Sequence, residues 1–99
     1  EKLFVCRVNS LMKAVDDLHL NGIKVFATVM RADKSISQAD MTEPCAIVMG
    51  GEEQGIYPAL LKICDESLSI PMSADFDSLN VSVSTGIVLY EAATQRSRL

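Results

Sequence analysis

The sequence has no tryptophan, two tyrosines and three phenylalanines among its 99 residues. Apolar residues still make up 48% of it, so its interior is aliphatic and it is not a disordered chain. No apolar run approaches the roughly 20 residues that span a bilayer, and no signal-peptide pattern opens the chain. The expectation is a soluble, cytoplasmic protein without a membrane partner. There is no initiator methionine, and Glu1-Lys2 leads straight into an apolar run, as in the middle of a longer polypeptide. Cysteine is sparse and unclustered: Cys6, Cys45 and Cys64 form no C-x-x-C and no Cys/His group. That excludes a zinc site by pattern and leaves reduced, buried small hydrophobes. Histidine occurs once, as His19, so no Ser/His/Asp or Cys/His arrangement can be read. A basic excess is missing too, since the formal charge is −4. Nucleic-acid binding would need a local basic patch, or basic residues from a missing segment or a second subunit.

The segments that are present alternate between strand and helix. Leu3–Val8 is a short, β-branched apolar run, and Asn9 or Ser10 can cap a helix whose Leu11, Val15 and Leu18 share one face. His19 lies in that helix's last turn, where a cation is favoured, and Asn21-Gly22 supplies a left-handed stop. Ile23–Val29 reads as a second buried strand, so the first thirty residues predict a right-handed βαβ unit with a parallel pair. The polar stretch from Met30 to Pro44 predicts a short helical turn around Ser37–Met41 or a functional loop. Ala46–Met49 is a third strand, Pro58 opens a second helix with Leu60, Leu61 and Cys64 on its apolar side, and Ser67–Ile70 is a fourth strand. The last segment is double-natured. Val81 to Ser84 alternate as in a strand, whereas Leu79, Val83, Gly86 and Tyr90 share a helical face. At about 18 residues it is long for a strand, and Leu79–Arg96 reads as a helix. The whole is one small α/β domain with a parallel sheet and flanking helices.

Chemistry concentrates in two places. Ala46-Ile47-Val48-Met49 runs into Gly50-Gly51, followed by Glu52, Glu53 and Gly55. Paired glycines at the carboxyl end of a parallel strand let a ligand approach the backbone. The spacing is neither the dinucleotide G-x-G-x-x-G nor a phosphate loop, and taken alone the turn reads first as a tight connection with a solvated acidic pair and second as a ligand site. The second place is Ile70-Pro71-Met72, a polar loop, and then Ser78-Leu79-Asn80-Val81-Ser82-Val83. Asn80 and Ser82 there would ordinarily cap or face solvent on the last helix.

Together, at this spacing, the two stretches resemble the last two signature motifs of the SpoU/TrmH family of S-adenosylmethionine-dependent RNA 2′-O-ribose methyltransferases. Val48-Met49-Gly50-x-Glu52-x-x-Gly55 is similar to one motif. Ile70-Pro71-Met72, with Ser78 to Val83 and Gly86-Ile87-x-Leu89-Tyr90-Glu91-Ala92, is similar to the other. The resemblance implies a SPOUT-type deep trefoil knot at the C-terminal end, in which the last helix threads a loop. It implies a cofactor pocket for S-adenosyl-L-methionine contacted by Gly50, Ile70, Met72 and Leu79, with Gly55 shaping the turn and Thr28 at a strand end touching the cofactor. Asn80, Glu52 and Ser82 match the positions of the catalytic machinery, and no metal is implied. The family's first motif, with its arginine, has no counterpart in these residues. Residues 1–99 therefore read as the C-terminal part of a knotted, homodimeric methyltransferase with an RNA substrate, most similar to the enzymes of large-subunit rRNA guanosine, with tRNA enzymes next. A non-catalytic domain of the same fold, used for dimerisation or RNA binding, is the rival reading.

Overall fold

A computed structural model describes residues 10–50, 56–71 and 81–99. The expected first strand Leu3–Val8, and hence the parallel pair it would make, lies outside the described residues. The elements are α1 (Leu11–Leu20), β1 (Lys24–Thr28), β2 (Lys34–Ser35), a 3-10 turn (Ile36–Gln38), β3 (Cys45–Met49), α2 (Pro58–Ile63), β4 (Glu66–Ser69) and α3 (Val81–Ser97). Four strands form one sheet in the order β2-β4-β1-β3, and each neighbouring pair is parallel.

Local chemistry explains the ends of α1. Ser10 is extended, and its hydroxyl accepts the Lys13 N–H at 3.2 Å, satisfying one of the free donors of the first turn. At the other end Ile23 N–H reaches Leu18 C=O at 2.9 Å and Gly22 N–H reaches His19 C=O at 3.0 Å, with Gly22 at φ 72°. This double bond pattern needs a left-handed residue, which glycine adopts without a Cβ clash. The buried stripe of α1 differs slightly from expectation. Val15 is buried and Leu18 and Met12 pack beside it, but Leu11 is exposed.

The strands carry two cores, one on each face. Val25 points to a cluster with Val15 of α1 and Leu60 of α2; Phe26 points to the opposite cluster with Leu68, Met41, Ile36, Val88 and Ala92. Period-two alternation on β1 thus feeds both layers, and Val25, Phe26 and Ala27 are fully buried because β1 lies between β4 and β3. Pro58 occupies the start of α2 as expected, but the residues packed on the core from this helix and its cap are Leu60, Ile63 and Cys64, and not Leu61.

The stretch from Met30 to Pro44 holds a correction. It contains the two-residue strand β2 and a 3-10 turn over Ile36–Gln38, not a turn centred on Ser37–Met41. A strand of two residues has no periodicity to read. The turn is fastened by Gln38, whose Oε1 accepts the Ser35 N–H at 2.8 Å. Met41, three residues past the turn, is fully buried in the core.

The cysteine expectation also needs adjusting. Cys45 and Cys64 are free thiols, but half-buried rather than buried, one against each core cluster. Burial raises both thiol pKa values. Cys6 lies outside the described residues.

At the amino end of the sheet Asp65 joins three elements. One carboxylate oxygen accepts the Val25 N–H at 2.7 Å and lies 2.8 Å from His19 Nε2, while Asp65 N–H donates to Val25 C=O at 2.7 Å. The Val25 N–H, followed by His19, holds the Asp65 carboxyl below its usual pKa. A lowered folded-state pKa stabilises the fold above the ordinary aspartate value, and that contribution is lost as pH falls through the depressed one. Asp65→Ala leaves the donor of buried Val25 unmatched and is expected to cost about 1–3 kcal/mol. Asp65→Asn keeps an oxygen for that donor and should flatten the acid limb of stability, as read by urea unfolding between neutral and strongly acid pH. An unchanged acid limb in Asp65→Asn would remove Asp65 from this role.

Candidate functional site

The sheet register sets the candidate residues in a row. Thr28, the last residue of β1, pairs with Met49 on one side and Leu68 on the other. Gly50 is one residue beyond β3, and Ile70 is one residue beyond β4. Since β4, β1 and β3 are neighbours about 5 Å apart, Thr28, Gly50 (one residue past the Thr28–Met49 level) and Ile70 (two past the Thr28–Leu68 level) occupy the carboxyl rim of adjacent strands. This is the edge where parallel α/β sheets bind ligands, because the loops leaving it diverge.

Each of these residues is held differently. The Thr28 hydroxyl lies 3.2 Å from Val48 C=O and 3.4 Å from Met49 Sδ, and its single proton can be donated to either. It thereby ties the end of β1 to the end of β3, next to Gly50. Ile70 is half-buried and rests on the Phe26–Leu68 core. Gly50 offers main chain without a side chain, one residue past the last paired position. Ser82 lies in the first turn of α3 and is exposed, with a polar interaction of its own. The remaining sequence candidates, Glu52, Gly55, Met72, Leu79 and Asn80, lie outside the described residues. So the structure brings together Thr28, Gly50 and Ile70, and it puts Ser82 at the start of the helix that directly follows Asn80.

Sequence reasoning passed over the polar contacts of α3's other end. Gln95 Oε1 accepts the Met41 N–H at 2.7 Å, and Arg96 Nε donates to Met41 C=O at 3.0 Å. Residues 91–96 read in sequence only as a helical finish, and nothing in the pattern couples them to residue 41.

Charge is distributed as the composition suggests. Lys24 and Lys34 both pair with Glu66, at 2.6 and 3.0 Å, Lys13 pairs with Asp17, and Arg96 is spent on backbone carbonyls. The lysine bonds hold Glu66 below its ordinary pKa. Three lysines, Lys13, Lys24 and Lys34, are thus paired with carboxylates.

The model of the SpoU rRNA methylase family matches residues 1–90. The chain belongs to this family. Its SpoU-type sequence is 41% identical over 97 residues to the 23S rRNA (guanosine-2′-O-)-methyltransferase RlmB of Escherichia coli strain K12, covering 98% of this chain and 40% of that protein. The RlmB of Shewanella oneidensis is 42% identical over 90 residues, which cover 91% of this chain and 37% of the relative. The chain thus spans about two fifths of the length of these relatives. Among solved structures, the Aquifex aeolicus TrmH/SpoU tRNA modifying enzyme superposes with a TM-score of 0.83 at 36% identity, over 92% of this chain and 47% of that one. The SpoU methyltransferase AviRb of Streptomyces viridochromogenes, in complex with the cofactor AdoMet, gives 0.79 at 31% identity, over 90% of this chain and 36% of that one. The parallel-sheet α/β architecture is accordingly that of SpoU/TrmH methyltransferases.

Proposed function

We propose that the protein carrying these residues is an S-adenosylmethionine-dependent RNA (ribose-2′-O-)methyltransferase acting on guanosine of large-subunit rRNA, and that residues 1–99 are the C-terminal part of its knotted domain. The observation that carries this reading is the coincidence of motif and place. Thr28, Gly50 and Ile70, which the family resemblance nominates for the cofactor, share one sheet rim. The 41% identity to RlmB over nearly the whole chain supports rRNA over tRNA. The rim's donor set fits the cofactor: strand-end main chain, a glycine without side chain and an apolar Ile70 suit a ligand held through backbone contacts and apolar packing. Met72, Leu79 and Gly55 complete the pocket in this reading.

When bound, S-adenosylmethionine supplies an electrophilic methyl on a sulfonium with a neutral leaving group. That methyl would pass to the ribose 2′-oxygen with loss of the carbon–sulfur bond, the hydroxyl proton going to a base. No general acid is required, so alignment of oxygen, carbon and sulfur supplies much of the rate. In this reading Asn80 orients the reacting groups, and Glu52 and Ser82 are the other catalytic residues. The proton acceptor fits the arginine of the family's first motif, which these residues do not include.

A homodimer completes the proposal, supported by the outward face of α3. Val83 is 51% exposed and Tyr90 74% exposed, with Gly86 exposed between them on the same face. Among the described residues, a Cβ at Gly86 would meet nothing within 4 Å. Glycine inside a helix costs about 1 kcal/mol relative to alanine, and its use where the chain itself leaves room fits close approach by a second copy. Tyr90→Asp is expected to halve the sedimenting mass; an unchanged dimer would move the interface elsewhere.

The test of function is calorimetric titration of S-adenosylmethionine into the full-length protein. One site per subunit is expected, lost in folded Leu79→Arg because the side chain fills the pocket. Methyl incorporation into 23S rRNA should follow. A folded dimer that binds no cofactor would favour the non-catalytic use of this fold.

A further inference from the structure

We infer that Gln95 and Arg96 are positioning residues, which set the axial placement of α3 against β3 and thereby the geometry of the cofactor rim at the far end of the sheet. Three bonds carry this. Gln95 Oε1 accepts the Met41 N–H at 2.7 Å, Arg96 Nε donates to Met41 C=O at 3.0 Å, and Arg96 also donates to Glu43 C=O at 3.4 Å. Met41 is fully buried, so its main-chain groups must be matched by protein. Gln95 is itself steadied by donating to Glu91 at 2.9 Å, one turn earlier.

The clasp is placed at one end of two long levers. Met41 and Glu43 lie just before β3, whose other end delivers Gly50 to the rim. Gln95 and Arg96 lie at the end of α3, whose other end is Val81, directly after Asn80 in sequence. About fifteen residues of helix separate the clasp from that start, roughly 22 Å at 1.5 Å per residue. Between the two ends α3 meets the core through Val88 and Ala92, with Ile87 beside them. Such small apolar contacts are non-directional and tolerate sliding, whereas a hydrogen bond fails within a few tenths of an ångström and a few tens of degrees. The polar clasp is therefore what selects one axial position of α3, and any slip at Gln95 is passed along a stiff helix to the residues at its start. A misplacement of about 1 Å remote from the chemistry can cost on the order of a hundredfold in rate.

The inference rests on the methyltransferase reading only for what the rim binds. The experiment uses the full-length protein, wild type and Gln95→Met/Arg96→Met, with Gln95→Met alone should the double variant not fold. Val15→Ala, in the opposite core cluster, is the control with a comparable loss of thermal stability. The clasp variants are expected to bind S-adenosylmethionine about tenfold or more weakly and to exchange the amides of Thr85 and Gly86 faster, whereas Val15→Ala changes neither. Gln95→Glu keeps an acceptor for Met41 N–H but loses the donor to Glu91 and opposes its carboxylate, so it should recover only part of the affinity. Clasp and control variants that behave alike at matched stability would overturn the inference. Should the wild type bind no cofactor, the function proposed above falls. Amide exchange then decides the clasp by itself: selective loosening at the start of α3 upholds it, and exchange like that of Val15→Ala refutes it.

Discussion

Replacing Asn80 with alanine in the full-length protein is expected to lower methyl transfer by about a hundredfold or more while leaving the fold and cofactor affinity nearly intact. The reaction has a neutral leaving group and needs little acid–base assistance, so its barrier depends on holding the 2′-oxygen in line with the methyl carbon. Losing the residue proposed to orient the reacting groups should therefore appear in kcat more than in KM. Asn80 directly precedes α3 in sequence, and its substitution by alanine removes a polar amide, not an apolar group. The check is single-turnover methylation at saturating cofactor and RNA, alongside calorimetry and thermal unfolding. Wild-type turnover in a folded Asn80→Ala protein would remove Asn80 from the site.

The second large effect is on stability. Phe26 is fully buried in the middle of β1, between Ile47 of β3 and Glu66 of β4, and it joins Leu68, Met41 and Val88 in one cluster. Phe26→Ala removes an aromatic ring from the point where the sheet, the stretch before β3 and α3 meet. Such truncations cost about 3–5 kcal/mol, a large share of the roughly 5–15 kcal/mol that keeps a domain folded. Urea unfolding should show a midpoint collapsing toward zero denaturant. Leu20→Ala, at a residue 85% exposed, should shift it by no more than about 0.5 kcal/mol. A Phe26→Ala protein as stable as Leu20→Ala would mean that the cluster is not the core of the fold.

Much of this architecture is legible along the chain because it rests on short-range rules. Ser10 as a cap, Gly22 as a left-handed stop, Pro58 at a helix start and the apolar runs of β1, β3 and β4 are local signals, and each element lies within about two residues of where the pattern sets it. The final helix was harder, because Val81 to Ser84 alternate like a strand; length and the motif resemblance favoured a helix, and α3 runs from Val81 to Ser97. The two-residue β2 was illegible, since it exists only through its pairing with Leu68 and Ser69. Of the candidate site, the sequence could nominate residues by motif but could not say which share a rim.

By itself, then, the sequence determined the kind and order of the longer elements, the parallel α/β class and the family, because periodicity, caps and motif spacing are written within a few residues of one another. Only the tertiary structure decided the strand order β2-β4-β1-β3, the row of Ile70, Thr28 and Gly50, the Asp65 junction with Val25 and His19, and the grip of Gln95 and Arg96 on Met41. These contacts join residues 20 to 55 positions apart. No local pattern encodes such pairings; they follow from which apolar faces bury together and which buried main-chain groups then need partners.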